Sequence, residues 1–164
     1  AGWHFVSVTD FTRGLDAQQE AMEDRELFQQ LRDISGEPIL VINKFVDETS
    51  QGMSPTINVY ANPPGPYTGS VLDDMPRGET FFRQHYREYA LETEVTATTV
   101  GGIEAAYVTY LHTRKSTATE RLRVRGLLVR SSRAEFSIGM EAPADGPDAS
   151  ADEFRSVRES IRLT

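Results

Sequence analysis

The alternation of hydrophobic and polar positions along the chain predicts several short strands. Some stretches alternate strictly and others are enriched in β-branched and aromatic residues, and both patterns favour strands. Ile39–Phe45 is nearly continuously apolar, which is typical of a strand buried on both faces, and we expect it to form a hairpin with Thr56–Tyr60. Short polar segments separate the later strands, so the simplest topology is an antiparallel meander. The predicted strands are Trp3–Val8, Ile39–Phe45, Thr56–Tyr60, Val95–Leu111 with a turn or bulge at Gly101-Gly102, Arg121–Val129 and Glu135–Met140.

Three segments have the composition and periodicity of amphipathic helices. Leu15–Ile34 is rich in strong helix formers, and Glu79–Ala90 carries aromatic residues at helical spacing. Ser150–Glu153 fits a capping box at the start of a helix that would bury Phe154. The proline-rich and glycine-rich stretch Asn62–Gly78 predicts a long surface loop.

These elements predict one α+β domain spanning residues 1–164. Each helix carries one apolar stripe that must be buried, so we expect a central antiparallel sheet flanked by helices on both faces. A chain of 164 residues is long enough to bury one core and short for two. No apolar run approaches the roughly 20 residues that a membrane-spanning helix needs.

Charge and cysteine content exclude several classes of function. The chain has 17 basic and 25 acidic residues, a net charge of −8, which disfavours general binding to nucleic acid. It has no cysteine, which excludes thiol catalysis, disulfides and cysteine-based metal sites. Charge is nevertheless unevenly distributed, because Arg114–Arg133 contains seven basic residues and a single acid, Glu120.

Three arginines of this basic segment are the candidate binding residues. In a strand, Arg121, Arg123 and Arg125 project from one face with guanidinium groups about 7 Å apart, while Leu122, Val124 and Leu128 point to the other face. We expect the arginines on the outward face of a central or near-central strand. Acids on neighbouring strands, such as Glu104 or Glu135, could neutralise them. Alternatively they bind an acidic protein or a small anionic ligand.

No catalytic residue, metal site or cofactor is predicted. His4, His85 and His112 lie on separate predicted elements, and no Gly-x-Ser-x-Gly motif is present. An alternative remains, a small enzyme or metal-dependent accessory protein whose site would assemble from His85, His112 and loop acids. The loop acids are Asp73, Asp74, Asp145 and Asp148.

Several stretches resemble the PsbP-like family, which includes the PsbP proteins of photosystem II, Mog-type Ran-binding proteins, and bacterial exported proteins and lipoproteins. The N-terminal part departs from that family, since a long polar helix is predicted where many members carry a strand hairpin around a Gly-Trp motif. The resemblance implies an α/β/α sandwich and transfers no catalytic residue. The stretches that carry it are Glu37–Phe45, Pro55–Val59, Val100–Tyr107 and Phe154–Arg162.

The resemblance favours a non-enzymatic binding or assembly module that is exported, either to the periplasm or to the cell surface as a lipoprotein. Besides the small enzyme, a secretion-accessory chaperone of related fold in the cytoplasm is a second alternative. An export signal ahead of Ala1 would support the first hypothesis and exclude the chaperone.

Overall fold

One antiparallel sheet dominates the computed structural model, which describes residues 3–10, 12–13, 36–44, 54–63, 69–113, 121–144 and 150–162. Its strands run in the order β1-β2-β3-β8-β7-β6-β4, with β5 also paired to β6. The predicted hairpin and the antiparallel meander are confirmed. The strands are β1 (His4–Val6), β2 (Pro38–Asn43), β3 (Thr56–Asn62), β4 (Arg87–Leu91), β5 (Thr96–Val100), β6 (Ile103–Thr113), β7 (Arg121–Arg130) and β8 (Glu135–Pro143).

Helix α1 spans Val71–His85, so the predicted loop over Asn62–Gly78 is wrong from Val71 onward. A capping box starts the helix: the Ser70 hydroxyl accepts a hydrogen bond from the Leu72 amide at 3.2 Å, and the Asp73 carboxylate accepts one from the Ser70 amide at 3.2 Å.

Helix α2 spans Ala151–Ser160 and buries Phe154 as predicted. The capping box predicted at Ser150 does not form, because the Ser150 side chain makes no capping hydrogen bond. Among the described residues, no helix is long and apolar enough to cross a membrane.

Each face of the sheet is named here for the helix that packs on it. Phe154 of α2 packs on the same face as Leu127 and Val129, and we call this the α2 face. Phe82 of α1 stacks on Tyr110 of the opposite face, which we call the α1 face. The main core lies on the α2 face and comprises Ile57, Val100, Ala105, Leu127, Val129, Ile138, Met140 and Phe154.

The predicted α/β/α sandwich is wrong. The structure is mostly antiparallel sheet, and its few described helices do not form layers that cover the sheet. Part of the difference is that Arg87–Ala90, predicted as the end of the helix Glu79–Ala90, belongs to strand β4. The predicted helix Leu15–Ile34 lies outside the described residues. Strands β1 and β2 lie at one edge of the sheet, where Phe5 is 81% exposed and Ile39 is 57% exposed. The prediction that β2 is buried on both faces is therefore wrong.

Candidate arginine site

Strand β7 places Arg121, Arg123 and Arg125 on the α2 face, in the first half of the strand. Their exposure falls along the strand, because Arg121 is exposed, the Arg123 side chain is 19% exposed and Arg125 is only 6% exposed. The expectation that all three point outward is therefore wrong for Arg125. Alternation explains this burial, since the next residues on the same face, Leu127 and Val129, belong to the core.

Glu92 is the carboxylate that holds this group together. Arg123 donates two hydrogen bonds to it, from Nε to Oε2 at 2.7 Å and from Nη2 to Oε1 at 2.8 Å. This bidentate bond lowers the pKa of Glu92 below its ordinary value; partial burial opposes the shift, and the positive charges of Arg123, Arg125 and Arg121 add to it. All three arginines therefore act on one carboxylate.

A β-bulge brings Glu92 to the site. The backbone amides of Glu92 and Thr93 both donate to the carbonyl of Thr109, at 2.9 and 3.2 Å, which breaks the regular pairing after β4. Strand β6 lies between β4 and β7 in the sheet, so the Glu92 and Arg123 side chains meet across it. The local sequence does not signal this contact, because it depends on the bulge and on the order of strands.

The acids proposed from sequence to neutralise the arginines are engaged elsewhere. Glu104 accepts hydrogen bonds from the Ser70 hydroxyl and from the Val71 amide at the start of α1. Glu135 pairs with Arg130 at 2.6 Å. The described geometry therefore assigns neither acid to the site.

A separate arginine shows what a purely structural ion pair looks like in this sheet. Arg130 lies within 2.6 Å of both Asp74 on α1 and Glu135 on β8, and it also donates to the Gly69 carbonyl. One cation is thus shared by two carboxylates and fixes α1 to the sheet. At Glu92, Arg123 binds the carboxylate through two guanidinium nitrogens, and the charges of Arg125 and Arg121 add to the lowering of its pKa.

A bidentate arginine pair with a carboxylate has a geometry that lysine cannot reproduce. The exposed guanidinium of Arg121 lies at the rim of the site, Arg123 lies behind it, and buried Arg125 adds positive charge beneath. This arrangement can bind a carboxylate or another anionic group that approaches from the end of the sheet.

On the opposite face, β6 and α1 form an aromatic cluster. The Phe82 ring stacks on Tyr110 at 5.5 Å, and His112 lies 4.2 Å from the Tyr86 ring. Burial raises the pKa of Tyr89 to about 12 and raises the pKa of Tyr110 well above its ordinary value. The cluster consists of Phe82, Tyr86, Tyr89, Tyr110 and His112.

The structure does not bring together the alternative site that the sequence left open. His112 is buried in the aromatic cluster, and the side chain of His85 lies outside what is described. Asp73 and Asp74 lie in the first turn of α1 rather than in a loop. Asp145 and Asp148 fall outside the described residues. Within the described ranges, no group of three or more histidine or acidic residues is placed to hold a metal ion.

Comparison with known proteins identifies the fold. No protein family and no curated protein matches the chain by sequence. Among solved structures, PA94 of Pseudomonas aeruginosa, a protein of unknown function, superposes with a TM-score of 0.60 and 9% identity, covering 70% of this chain and 76% of that one.

Two further structures give the fold its name. LpqN of Mycobacterium tuberculosis, described as involved in cell envelope biogenesis, superposes with a TM-score of 0.54 and 14% identity, covering 74% of this chain and 69% of its own. Cyanobacterial PsbP from Synechocystis superposes with a TM-score of 0.54 and 12% identity, covering 77% of this chain and 75% of its own. At these identities the likeness shows the fold alone, and the fold is PsbP-like.

Proposed function

We propose that this protein is a non-enzymatic binding or assembly module that acts outside the cytoplasm and binds an acidic partner through Arg121 and Arg123. The observation that carries the proposal is geometric: Arg123 already holds a carboxylate, Glu92, through two hydrogen bonds, and exposed Arg121 lies next to it on the same face of β7. The likeness in fold to LpqN, a protein of cell envelope biogenesis, supports an extracytoplasmic role.

The site differs in charge from the rest of the chain, and this favours a specific partner. The chain carries a net charge of −8, so an acidic partner is repelled by most of its surface. The sequence around the site is basic, with seven basic residues and one acid in Arg114–Arg133, and exposed Arg121 gives the start of β7 a local positive field. Such a field steers an acidic group towards Arg121 at the start of β7.

Glu92 occupies the position that a partner carboxylate would take on Arg123. A bound carboxylate can pair with exposed Arg121 directly, and it can share or displace the two hydrogen bonds that Arg123 gives to Glu92. Arg125 supports binding from below through its charge. The partner is therefore an acidic protein segment or a small anionic ligand.

A peptide of ten glutamates is a suitable probe, and its binding can be measured by isothermal titration calorimetry. We expect the parent to bind it and to lose affinity as salt rises, because the attraction is electrostatic. The double variant Arg121→Ser/Arg123→Ser should bind at least about tenfold more weakly. Arg125 is retained in this variant because it is buried.

The control carries the same change in net charge elsewhere. Arg155→Ser/Arg162→Ser removes two exposed arginines on and just after α2, and it should bind the peptide as the parent does. Equal weakening in both double variants would mean that the peptide responds only to overall charge. Failure of the parent to bind at low salt would refute the site.

The extracytoplasmic part of the proposal has its own test. The full-length natural protein is expressed in its host, and cytoplasmic and extracytoplasmic fractions are probed with an antibody against the domain. We expect the extracytoplasmic fraction to contain the protein. Recovery in the cytoplasm alone would refute this part and leave the arginine site to the peptide experiment.

A further inference from the structure

Within the described part of the chain, β1, β4 and β5 each have one edge with no neighbouring strand, and these edges differ in how well they are protected from pairing with another strand. An exposed edge invites another strand to pair unless it is very short, bulged or charged. Strand β1 is short, with only three residues. Strand β4 contains Arg87 and Glu88, has a bulge between Arg87 and Ala90, and holds Glu88 at a positive φ of 52°.

Strand β5 has none of these protections. Its sequence Thr-Ala-Thr-Thr-Val contains no charge and no proline, and four of its five residues are β-branched and have high β propensity. All five residues pair with β6 in unbroken register. Thr96, Ala97 and Thr99 are exposed, so their outer side is uncovered.

The pairing with β6 identifies which backbone groups of β5 point outward. Gly101 and Gly102, at φ 59° and 82°, form a two-residue turn, which makes Val100 and Ile103 a hydrogen-bonded pair. Bonded and non-bonded pairs alternate along an antiparallel ladder. The amide and carbonyl groups of Ala97 and Thr99 therefore point away from β6.

We infer that the outer edge of β5 is a self-association site, where β5 of a second copy of this chain pairs antiparallel across a two-fold axis at Thr98. In this register Ala97 of each copy faces Thr99 of the other, and each such pair exchanges two backbone hydrogen bonds. The two Thr98 side chains lie directly opposite each other, an arrangement that favours contact between threonines.

A second copy fits this register without a local clash of charge. Glu94 is the nearest acid before the strand. With Thr98 facing Thr98, Glu94 lies opposite Gly102 of the other copy, so it meets a turn and not another acid. The two Glu94 residues lie eight residues apart along the paired strands, about 27 Å. The pairing therefore brings no like charges together at its centre.

The association is weak and depends on salt. Five-residue strands bury less than the roughly 1,000 Å² typical of a stable interface, so dimers form only at high concentration. Each copy carries a net charge of −8, and the two repel each other. Added salt screens that repulsion and strengthens the dimer, whereas it weakens binding of the acidic peptide to the arginine site.

Sedimentation velocity of the whole chain tests this inference, at loading concentrations from about 20 µM to about 1 mM. We expect a monomer at the low end and a growing dimer at the high end, with more dimer in about 500 mM than in about 50 mM salt. Thr99→Pro removes one outward amide and leaves the bonds to β6 intact, so it should stay monomeric. Thr99→Ala keeps the amide and should dimerise like the parent.

A charge exchange at the two-fold axis gives a second test that does not require proline to be tolerated. Thr98→Lys and Thr98→Glu each place like charges opposite each other, so each variant alone should be monomeric. An equal mixture should form the heterodimer. The inference is overturned if the parent stays monomeric at about 1 mM in both salts, or if these variants dimerise like the parent.

Discussion

Strands β6 and β7 carry opposite chemistry on their two faces at the same end of the sheet. On the α1 face, Tyr110 and His112 join an aromatic cluster under α1. On the α2 face, Arg123 and Arg125 lie beside a carboxylate from beyond β4. Neighbouring residues of β7 alternate between the two regions, so one strand serves both.

The difference shows how stability and binding are separated in this fold. Stacked aromatic rings exclude water and add several contacts each, which stabilises the sheet and fixes α1. A partly exposed ion pair adds little stability because both charges lose solvation and are screened by salt. The aromatic region therefore holds the strands in register, and the arginine region can respond to a ligand.

The largest effect should come from the centre of the aromatic cluster. Phe82 stacks with Tyr86, Tyr89 and Tyr110, so Phe82→Ala should lower the free energy of unfolding by about 3 kcal/mol. Urea denaturation followed by circular dichroism measures it. Phe5→Ala, the same truncation at an exposed position, should stay within about 0.5 kcal/mol of the parent. Similar losses of unfolding free energy in both variants would contradict the conclusion that the aromatic cluster stabilises the fold.

The arginines of β7 should differ from one another in the same experiment. Removing the buried guanidinium in Arg125→Ala should cost about 2 kcal/mol, because the groups packed around it lose their partner. Arg121→Ala should cost less than about 0.5 kcal/mol, because that side chain is exposed. Equal losses of unfolding free energy in the two variants would mean that the burial of an arginine on β7 does not determine its contribution to stability.

The sequence predicts strands better than it predicts which face each strand buries. The meander, the turn at Gly101-Gly102 and the shared face of the three arginines all follow from alternation and turn chemistry. The burial of Arg125 is also predictable from sequence, because Leu127 and Val129 lie on the same face of the strand and are apolar enough to mark that face as core. The charge of Arg125 favours an outward face, but its position in the alternation places it with the core.

Other errors came from contacts between distant parts of the chain. The aromatic spacing of Glu79–Ala90 suggested one helix, but the chain leaves the helix after His85 and Tyr89 packs from a strand. The start of α1 is an exception, because its cap between Ser70 and Asp73 is local, whereas the proline content of Asn62–Gly78 predicts a loop there. Glu92 became a site residue through a bulge and strand order, which no local pattern encodes.

The smallest effect concerns Glu92 and the acid limb of stability. Arg123 lowers the pKa of Glu92 in the folded protein, so the carboxylate stabilises the fold above its ordinary value of 4.5, and this contribution is lost as pH falls through the lower folded value. Urea denaturation from pH 7 to about pH 3 should therefore show the parent converging on Glu92→Gln as acid removes the difference. Glu94→Gln, the same change at an exposed neighbour, should follow the parent throughout. Added salt should reduce the difference in unfolding free energy between the parent and Glu92→Gln at neutral pH, because the ion pair is partly exposed. If that difference is equally large at pH 3, Glu92 acts through packing and not through its charge.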